Sequence, residues 1–346
     1  MIYCTIGVPS RFSEWCESLL NELVSGPAGR PEQFIADGLD HVGRGLVAHN
    51  CLEAIVIARQ PQASFSDALM AHRAPILVTL EEPAHAIADL MADHALGYAE
   101  AVRAVASSLA ALVPIIQSGK ASVVTSTTAE SAEQIIDTLA RHFGLTVDAK
   151  ATEAAVRGNP FRAPAPPAQI VERDGILPDE GEVFASLRGS VHHLAECPAT
   201  GPLWRHLHGE PLREIVWART LFYLGDAPTQ APTGPIDLTG TGRCLLFGPY
   251  IRLPVGPWSC SIVFACSERA MGASLVADVF AGAVLNSVVF KIDEPGIFEV
   301  ELSFVNSSPD HPIEVRLSTA EAAFEGEIML GEVRMFQLKA KRLAIA

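Results

Sequence analysis

The chain is short of aromatic side chains and of positive charge. Phe, Trp and Tyr make up 7% of its 346 residues, too few for a long stacking platform. Lys and Arg number 25 against 40 Asp and Glu, a formal net charge of −15 that repels nucleic acid and anionic membrane surfaces over a Debye length. No nucleic-acid partner is expected. The 7 cysteines are scattered and form no CxxC pair, which reads as reduced thiols and not as a disulfide framework. The sequence opens without a basic segment leading into an apolar one, so no signal peptide is expected. The most apolar long stretch, residues 101–116, contains Arg103 and Pro114 and reads as too short to cross a bilayer. A soluble, cytoplasmic protein without a transmembrane segment is the expectation.

Several chemical signatures are also missing. There is no GxSxG nucleophile elbow, no GxxxxGK[ST] loop and no HExxH. The densest histidines, His192-His193 and His206-x-His208, lack the further ligands that a zinc site needs, so no metal is expected. The acidic pairs Glu81-Glu82 and Asp179-Glu180 read as solvated surface before they read as acid–base catalysts.

What is present divides into two halves with different periods. Up to about residue 158, short β-branched runs (53–58, 75–80 and 121–126) alternate with Ala/Leu-rich helical patterns such as 82–110. A helix opening at Ser131 presents Ile135, Ile136, Leu139 and Phe143 on one face, with Gly144 as its C-terminal cap. This alternation predicts an α/β domain with a mostly parallel sheet over residues 1–158. The Pro-rich run 159–167 predicts a linker, and residues 159–233 a connecting segment, in which 211–225 reads as a helix or as a strand entering the next domain. From about residue 234 the period is two. Trp258, Cys260, Ile262 and Phe264 fall on one side of a strand, as do Phe298, Val300, Leu302 and Phe304, and then Ile313, Val315 and Leu317 against Glu314 and Arg316. An all-β, jelly-roll-like sandwich over 234–340 is expected.

The opening stretch GVPSRFSEWCESLL resembles the start of the sulfotransferase family, G-x-P-R-S-G-T-T-W followed by a helix. Gly7, Pro9, Ser13 and Trp15 fall on matching positions, whereas Ser10, Arg11, Phe12 and Glu14 depart from the pattern. Downstream, PILVTLEEPAHAIAD resembles the family's strand-R-D-P-R-D-x-x-x-S, with Pro83 matching, Glu81 at the Arg position and Asp89 at the Ser position. The resemblance implies a P-loop-like fold and a relic nucleotide loop made of Gly7, Ser10, Arg11 and Ser13. In that family the two motifs hold the donor phosphoadenosine phosphosulfate (PAPS). Here anions stand where a phosphate would need a cation and a hydroxyl, and Glu14 occupies the positive end of the helix. A pseudoenzyme without cofactor is therefore expected. The alternative is an active sulfotransferase or glycan transferase with a rearranged PAPS site that uses Arg11, and His85 as its catalytic base. The bland reading is a strand–turn–helix common to α/β domains, with Ser10 or Ser13 capping the helix.

Residues 242–266, GRCLLFGPYIRLPVGPWSCSIVFAC, resemble a β-sandwich module attached to bacterial glycosyltransferases and other polysaccharide-assembly proteins. The resemblance implies contact with carbohydrate, for which Tyr250, Arg252 and Trp258 are the candidates, although Trp258 is in phase with the core. The resulting expectation is a non-catalytic accessory protein of surface-polysaccharide or glycan assembly, binding carbohydrate or a partner enzyme. A purely structural protein–protein scaffold is the third reading.

Overall fold

The computed structural model describes residues 2–25, 31–49, 53–126, 132–147 and 197–339. They fall into two compact units, one before and one after residues 148–196. The expected linker at 159–167, Asp179-Glu180, His192-His193 and Ser131 lie outside the described residues.

In the first unit five strands form one parallel sheet: β1 (Ile2–Gly7), β2 (Glu32–Ile35), β3 (Ala54–Ala58), β4 (Ile76–Leu80) and β5 (Ser122–Thr125), in spatial order β2-β3-β1-β4-β5. β3 and β4 are buried along their whole length, which is why they read as apolar runs, interrupted only by Thr79 in β4. The helices are α1 (Arg11–Val24), α2 (Leu39–His49), α3 (Ala63–Ala71), α4 (Pro83–Asp93), α5 (Tyr98–Gln117) and α6 (Ala132–Phe143). The helical pattern at 82–110 resolves into α4 and α5, broken where Ala95 takes a positive φ of 53°. Gly144 has φ 66°, as the expected C-terminal cap requires.

The structure corrects the expectation for the apolar stretch: α5 runs through Pro114 for 20 residues, long and apolar enough to cross a membrane. Of its most apolar window, 67% is buried inside the unit, the packing of a core helix.

Among its described residues the second unit pairs its named strands antiparallel, with one short helix, α7 (Gly201–Leu207), and single helical turns. Its strands are β6 (Ile215–Ala218), β7 (Tyr223–Leu224), β8 (Ile236–Asp237), β9 (Cys244–Ile251), β10 (Gly256–Cys266), β11 (Ser274–Phe280), β12 (Val284–Lys291), β13 (Gly296–Asn306), β14 (Ile313–Thr319) and β15 (Glu327–Gln337). One sheet has the order β13-β10-β15-β6, with β8 also on β15; the other has the order β12-β11-β14-β9-β7. Trp258, Cys260, Ile262, Phe264, Ile313, Val315 and Leu317 are all buried, as the period of two predicts. The sheets begin before residue 234, because β6 pairs with β15 and β7 with β9. Within 211–225 the chain is therefore strand, one 3-10 turn at Arg219–Leu221, and strand, and the helical reading is corrected.

Candidate functional site

Two places merit construction from their residues. The first is the carboxyl edge of the parallel sheet. The chain leaves β1 for β2 on one side and β4 for β5 on the other, so β1 and β4 flank the point where connections reverse and α/β sheets hold ligands. The loop after β1 is satisfied from within. Ser10, the N-cap of α1, accepts the N–H of Ser13 at 3.2 Å. The Ser13 hydroxyl donates to the Val8 carbonyl at 2.6 Å and lies 2.8 Å from Thr79 Oγ1. A Cβ on Gly7 would fall 2.0 Å from Thr79 Oγ1, so strand packing demands this glycine. Phe12 lies within α1 as a buried core residue beside Trp15.

The first N–H of α1, that of Arg11, donates to Asp89 Oδ2 at 3.0 Å. The Arg11 guanidinium forks onto Asp93 with two contacts of 2.6 Å, and its Nε is 3.6 Å from Asp89. The chain's own carboxylates thus meet the helix N-terminus and its neighbouring cation.

Glu81, buried at the end of β4, accepts from the Ser126 hydroxyl and from the Glu82 N–H. His85 Nδ1 lies 3.4 Å from Glu81 and 3.8 Å from Glu82. Burial raises the Glu81 carboxyl above the usual range, against the opposing pull of Ser126 and His85, with Asp89 adding to the rise. A carboxyl raised in the folded state binds its proton more tightly there than when unfolded. Its charged form therefore costs stability above the folded pKa, and that cost is relieved as pH falls through it towards the unfolded value near 4.5. Glu81→Gln is expected to remove this contribution: thermal melts from neutral to mildly acidic pH should show the variant gaining less on acidification than the parent. Equal gains would exclude the assignment.

The second place is the outer face of the β12-β11-β14-β9-β7 sheet. Register sets Asp278, Arg316, Phe247 and Tyr223 opposite one another on four successive strands, hence on one face. Arg316 Nε donates to Asp278 Oδ1 at 2.7 Å, and its guanidinium carbon sits 4.5 Å from the Phe280 ring centroid. Glu314 is opposite Phe280 and Pro249 in the adjacent row. Tyr250 stands out from a register shift between β9 and β14, with φ 63° and 37% exposure. Its ring centroid is 6.0 Å from Phe247 and 6.4 Å from Tyr223, and these two are 5.7 Å apart. A left-handed conformation in a bulky aromatic costs on the order of 1–3 kcal/mol, a strain that tends to collect at functional positions. Burial lifts the carboxyl of Glu314, which Arg316 lowers and Asp278 raises further.

Of the three candidates from the sequence, Tyr250 joins this face. Arg252 follows the end of β9 and is half-buried. Trp258 is in the other sheet and fully buried, its indole N–H bonded to the Pro254 carbonyl at 3.0 Å, so the core reading of this residue holds and its rings have no face for a ligand. Sequence reasoning missed Tyr223, Phe247, Phe280 and Asp278, and noted Glu314 and Arg316 only as the wet side of a strand.

Elsewhere, an open cleft of about 470 Å³ is lined by Asp237, Thr239, Glu268, Arg269, Glu325 and Glu327. Among the described residues no group of three or more His, Cys, Asp or Glu could hold a metal ion. His206 and His208 each place Nδ1 2.8 Å from a backbone oxygen, of Glu210 and Trp204 respectively.

No family model matches the chain, and no curated protein matches it in sequence. Among solved structures it is similar to BiXyn10A CBM1, at 14% identity and a TM-score of 0.21, covering 26% of this chain and 58% of that one. It is similar to TmCBM61, solved with β-1,4-galactotriose, at 13% identity and a TM-score of 0.24, covering 38% and 92%. It is also similar to the C-terminal CBM6 of LamC, a laminarinase from Zobellia galactanivorans, at 11% identity and a TM-score of 0.24, covering 36% and 99%. At such values the likenesses by themselves assign nothing to this chain.

Proposed function

We propose that the chain is a non-catalytic accessory protein of surface-polysaccharide or glycan assembly, acting in the cytoplasm and binding carbohydrate on the outer face of its C-terminal sheet. The observation that carries this reading is the juxtaposition of Tyr223, Phe247 and Tyr250 with Asp278, Arg316 and Glu314. Apolar C–H surfaces of a pyranose stack on aromatic rings, while its hydroxyls need donors and acceptors fixed beside those rings. Each half of this requirement is common alone; here both occur on one half-buried face, with the most exposed ring held in a strained backbone.

The α/β unit enters as a sulfotransferase-like domain that has lost its donor. In support, Asp89 and Asp93 meet the helix N–H and the guanidinium that a phosphate would use. The transferase alternative draws on the contact between Glu81 and His85, a carboxylate orienting an imidazole as a general base requires. Its other member, Arg11, is however occupied twice over.

Glycan-array screening followed by calorimetry on the full chain tests the carbohydrate reading. Tyr250→Ala should weaken binding by about 10- to 100-fold, the equivalent of one lost stacking contact and its hydrophobic area. It should leave the melting transition of the second unit nearly unchanged or slightly lowered, since alanine keeps the Cβ and with it the positive-φ strain, while a partly exposed ring gives up its contacts with Phe247 and Tyr223. A variant that binds like the parent would remove the proposed site.

A further inference from the structure

We propose that this face selects neutral over acidic glycans and takes them as short oligosaccharides laid across the strands. The inference rests on the carbohydrate reading above and names the ligand class for that same face.

Charge comes first. The row holds one cation, Arg316, and one carboxylate, Asp278, and the adjacent row adds a second carboxylate, Glu314. Arg316 is tied to Asp278 through Nε and lies over Phe280, so its charge is answered by a neighbour before any ligand arrives. Glu314 leaves this part of the face with a net negative balance. The charged side chains that act on Tyr250 are the same Glu314 and Arg316. Lys291, opposite Ser274, shares the face but lies four residues along β11 from Asp278, about 13 Å away and beyond the screening length at physiological salt. A uronate or sulfate ester placed over Tyr250 would therefore meet a net negative balance, with the charge of Arg316 already neutralised by Asp278. A neutral sugar meets the opposite situation. Two carboxylates accept from its hydroxyls, and the remaining guanidinium N–H groups of Arg316 can donate to its ring or hydroxyl oxygens.

Shape gives the second half. Asp278, Arg316, Phe247 and Tyr223 lie on adjacent strands, so their row runs perpendicular to the chain direction. Three strand spacings amount to about 14 Å. That span exceeds a single pyranose and ends at β7, the edge strand that carries Tyr223. A ligand that covers the whole row, from Tyr223 to Asp278, therefore has more than one sugar unit.

The test is calorimetric titration of the full chain with two series matched in length: neutral β-1,4-linked hexose and pentose oligosaccharides, and oligogalacturonates. The neutral series should bind with little dependence on salt, improving from mono- to trisaccharide and then levelling. The uronates should bind at least tenfold more weakly, and Glu314→Gln should narrow that gap by strengthening uronate binding. Uronates that bind as well as or better than neutral sugars would overturn the charge rule while leaving the carbohydrate reading intact. A monosaccharide as tight as its trisaccharide would overturn the crossing geometry. Binding by neither series would remove the carbohydrate reading and this inference with it.

Discussion

Trp258→Ala should unfold the second unit at temperatures where the parent is folded, and it should do so whether or not carbohydrate binds there. The indole is fully buried in β10, opposite Phe304 on β13 and Gln337 on β15, with the interior of the sandwich on its inward side. Truncating a buried Trp to Ala costs about 3–5 kcal/mol through lost transfer energy and the cavity left behind. Set against a typical domain stability of about 5–15 kcal/mol, that is a large share of the whole. The hydrogen bond to Pro254 is a smaller part. Asn306, also buried, donates to Leu253 at 2.7 Å and to Pro254 at 3.3 Å, so the loop between β9 and β10 is held from two sides. Trp258→Phe keeps most of the ring and should cost nearer 1–2 kcal/mol. Chemical or thermal melts followed by near-ultraviolet circular dichroism order the three proteins. A Trp258→Ala protein as stable as the parent would mean that the ring is not a core element, and the sandwich register given above would have to be wrong. The variant also defines what a binding test may use: loss of glycan affinity in Trp258→Ala reports unfolding, whereas loss in Tyr250→Ala reports the face.

The contrast between those two aromatics shows how far the sequence is legible. Trp258 alternates in phase with Cys260, Ile262 and Phe264, and period two is a local property that one strand states by itself. The same holds for Ile313, Val315 and Leu317. The buried strands β3 and β4 are equally plain, because a strand covered on both faces is apolar along nearly its whole length, Thr79 being the exception. β2 is not plain. Its four residues are mostly exposed and show no period, so only pairing with β3 identifies it. The segment from Ile215 to Leu224 is illegible for a different reason: its two short strands belong to different sheets, and a turn between them imitates helical spacing. The candidate binding row is the extreme case. Asp278, Arg316, Phe247 and Tyr223 are unremarkable on their own strands, and only the register of four strands places them in line. The position of Tyr250 depends on a register shift that no local pattern announces.

At the other site the residues that depart from the sulfotransferase pattern were visible in sequence, but what they do was not. Glu81 and Asp89 read as two anions near an absent phosphate; in the structure Glu81 turns to Ser126 and His85, while Asp89 reaches back to Arg11. From this geometry we expect titration of the full chain with PAPS or adenosine 3′,5′-bisphosphate to give no measurable heat. The helix dipole and the first N–H of α1 are answered by Asp89, and the guanidinium by Asp93, so an incoming phosphate has to displace bound carboxylates and then sit among them. One like-charge contact at about 4 Å and an effective dielectric of ~20 is worth on the order of 4 kcal/mol, roughly a thousandfold in affinity. Replacing Asp89 and Asp93 together by Asn removes both charges at nearly constant shape. The double variant should bind adenosine bisphosphate or inorganic sulfate more tightly than the parent by up to that factor, with strong dependence on salt because the new attraction is electrostatic. It should also lose some stability, since Arg11 and the N-terminus of α1 give up their partners; for a helix terminus this amounts to about 0.5–2 kcal/mol. The two readouts move in opposite directions, which separates electrostatic exclusion from a pocket that was never shaped for a nucleotide. In the second case the stability falls and affinity does not rise. Micromolar binding by the parent chain, lost in Arg11→Ala, would instead restore the transferase reading, with His85 as the first residue to mutate.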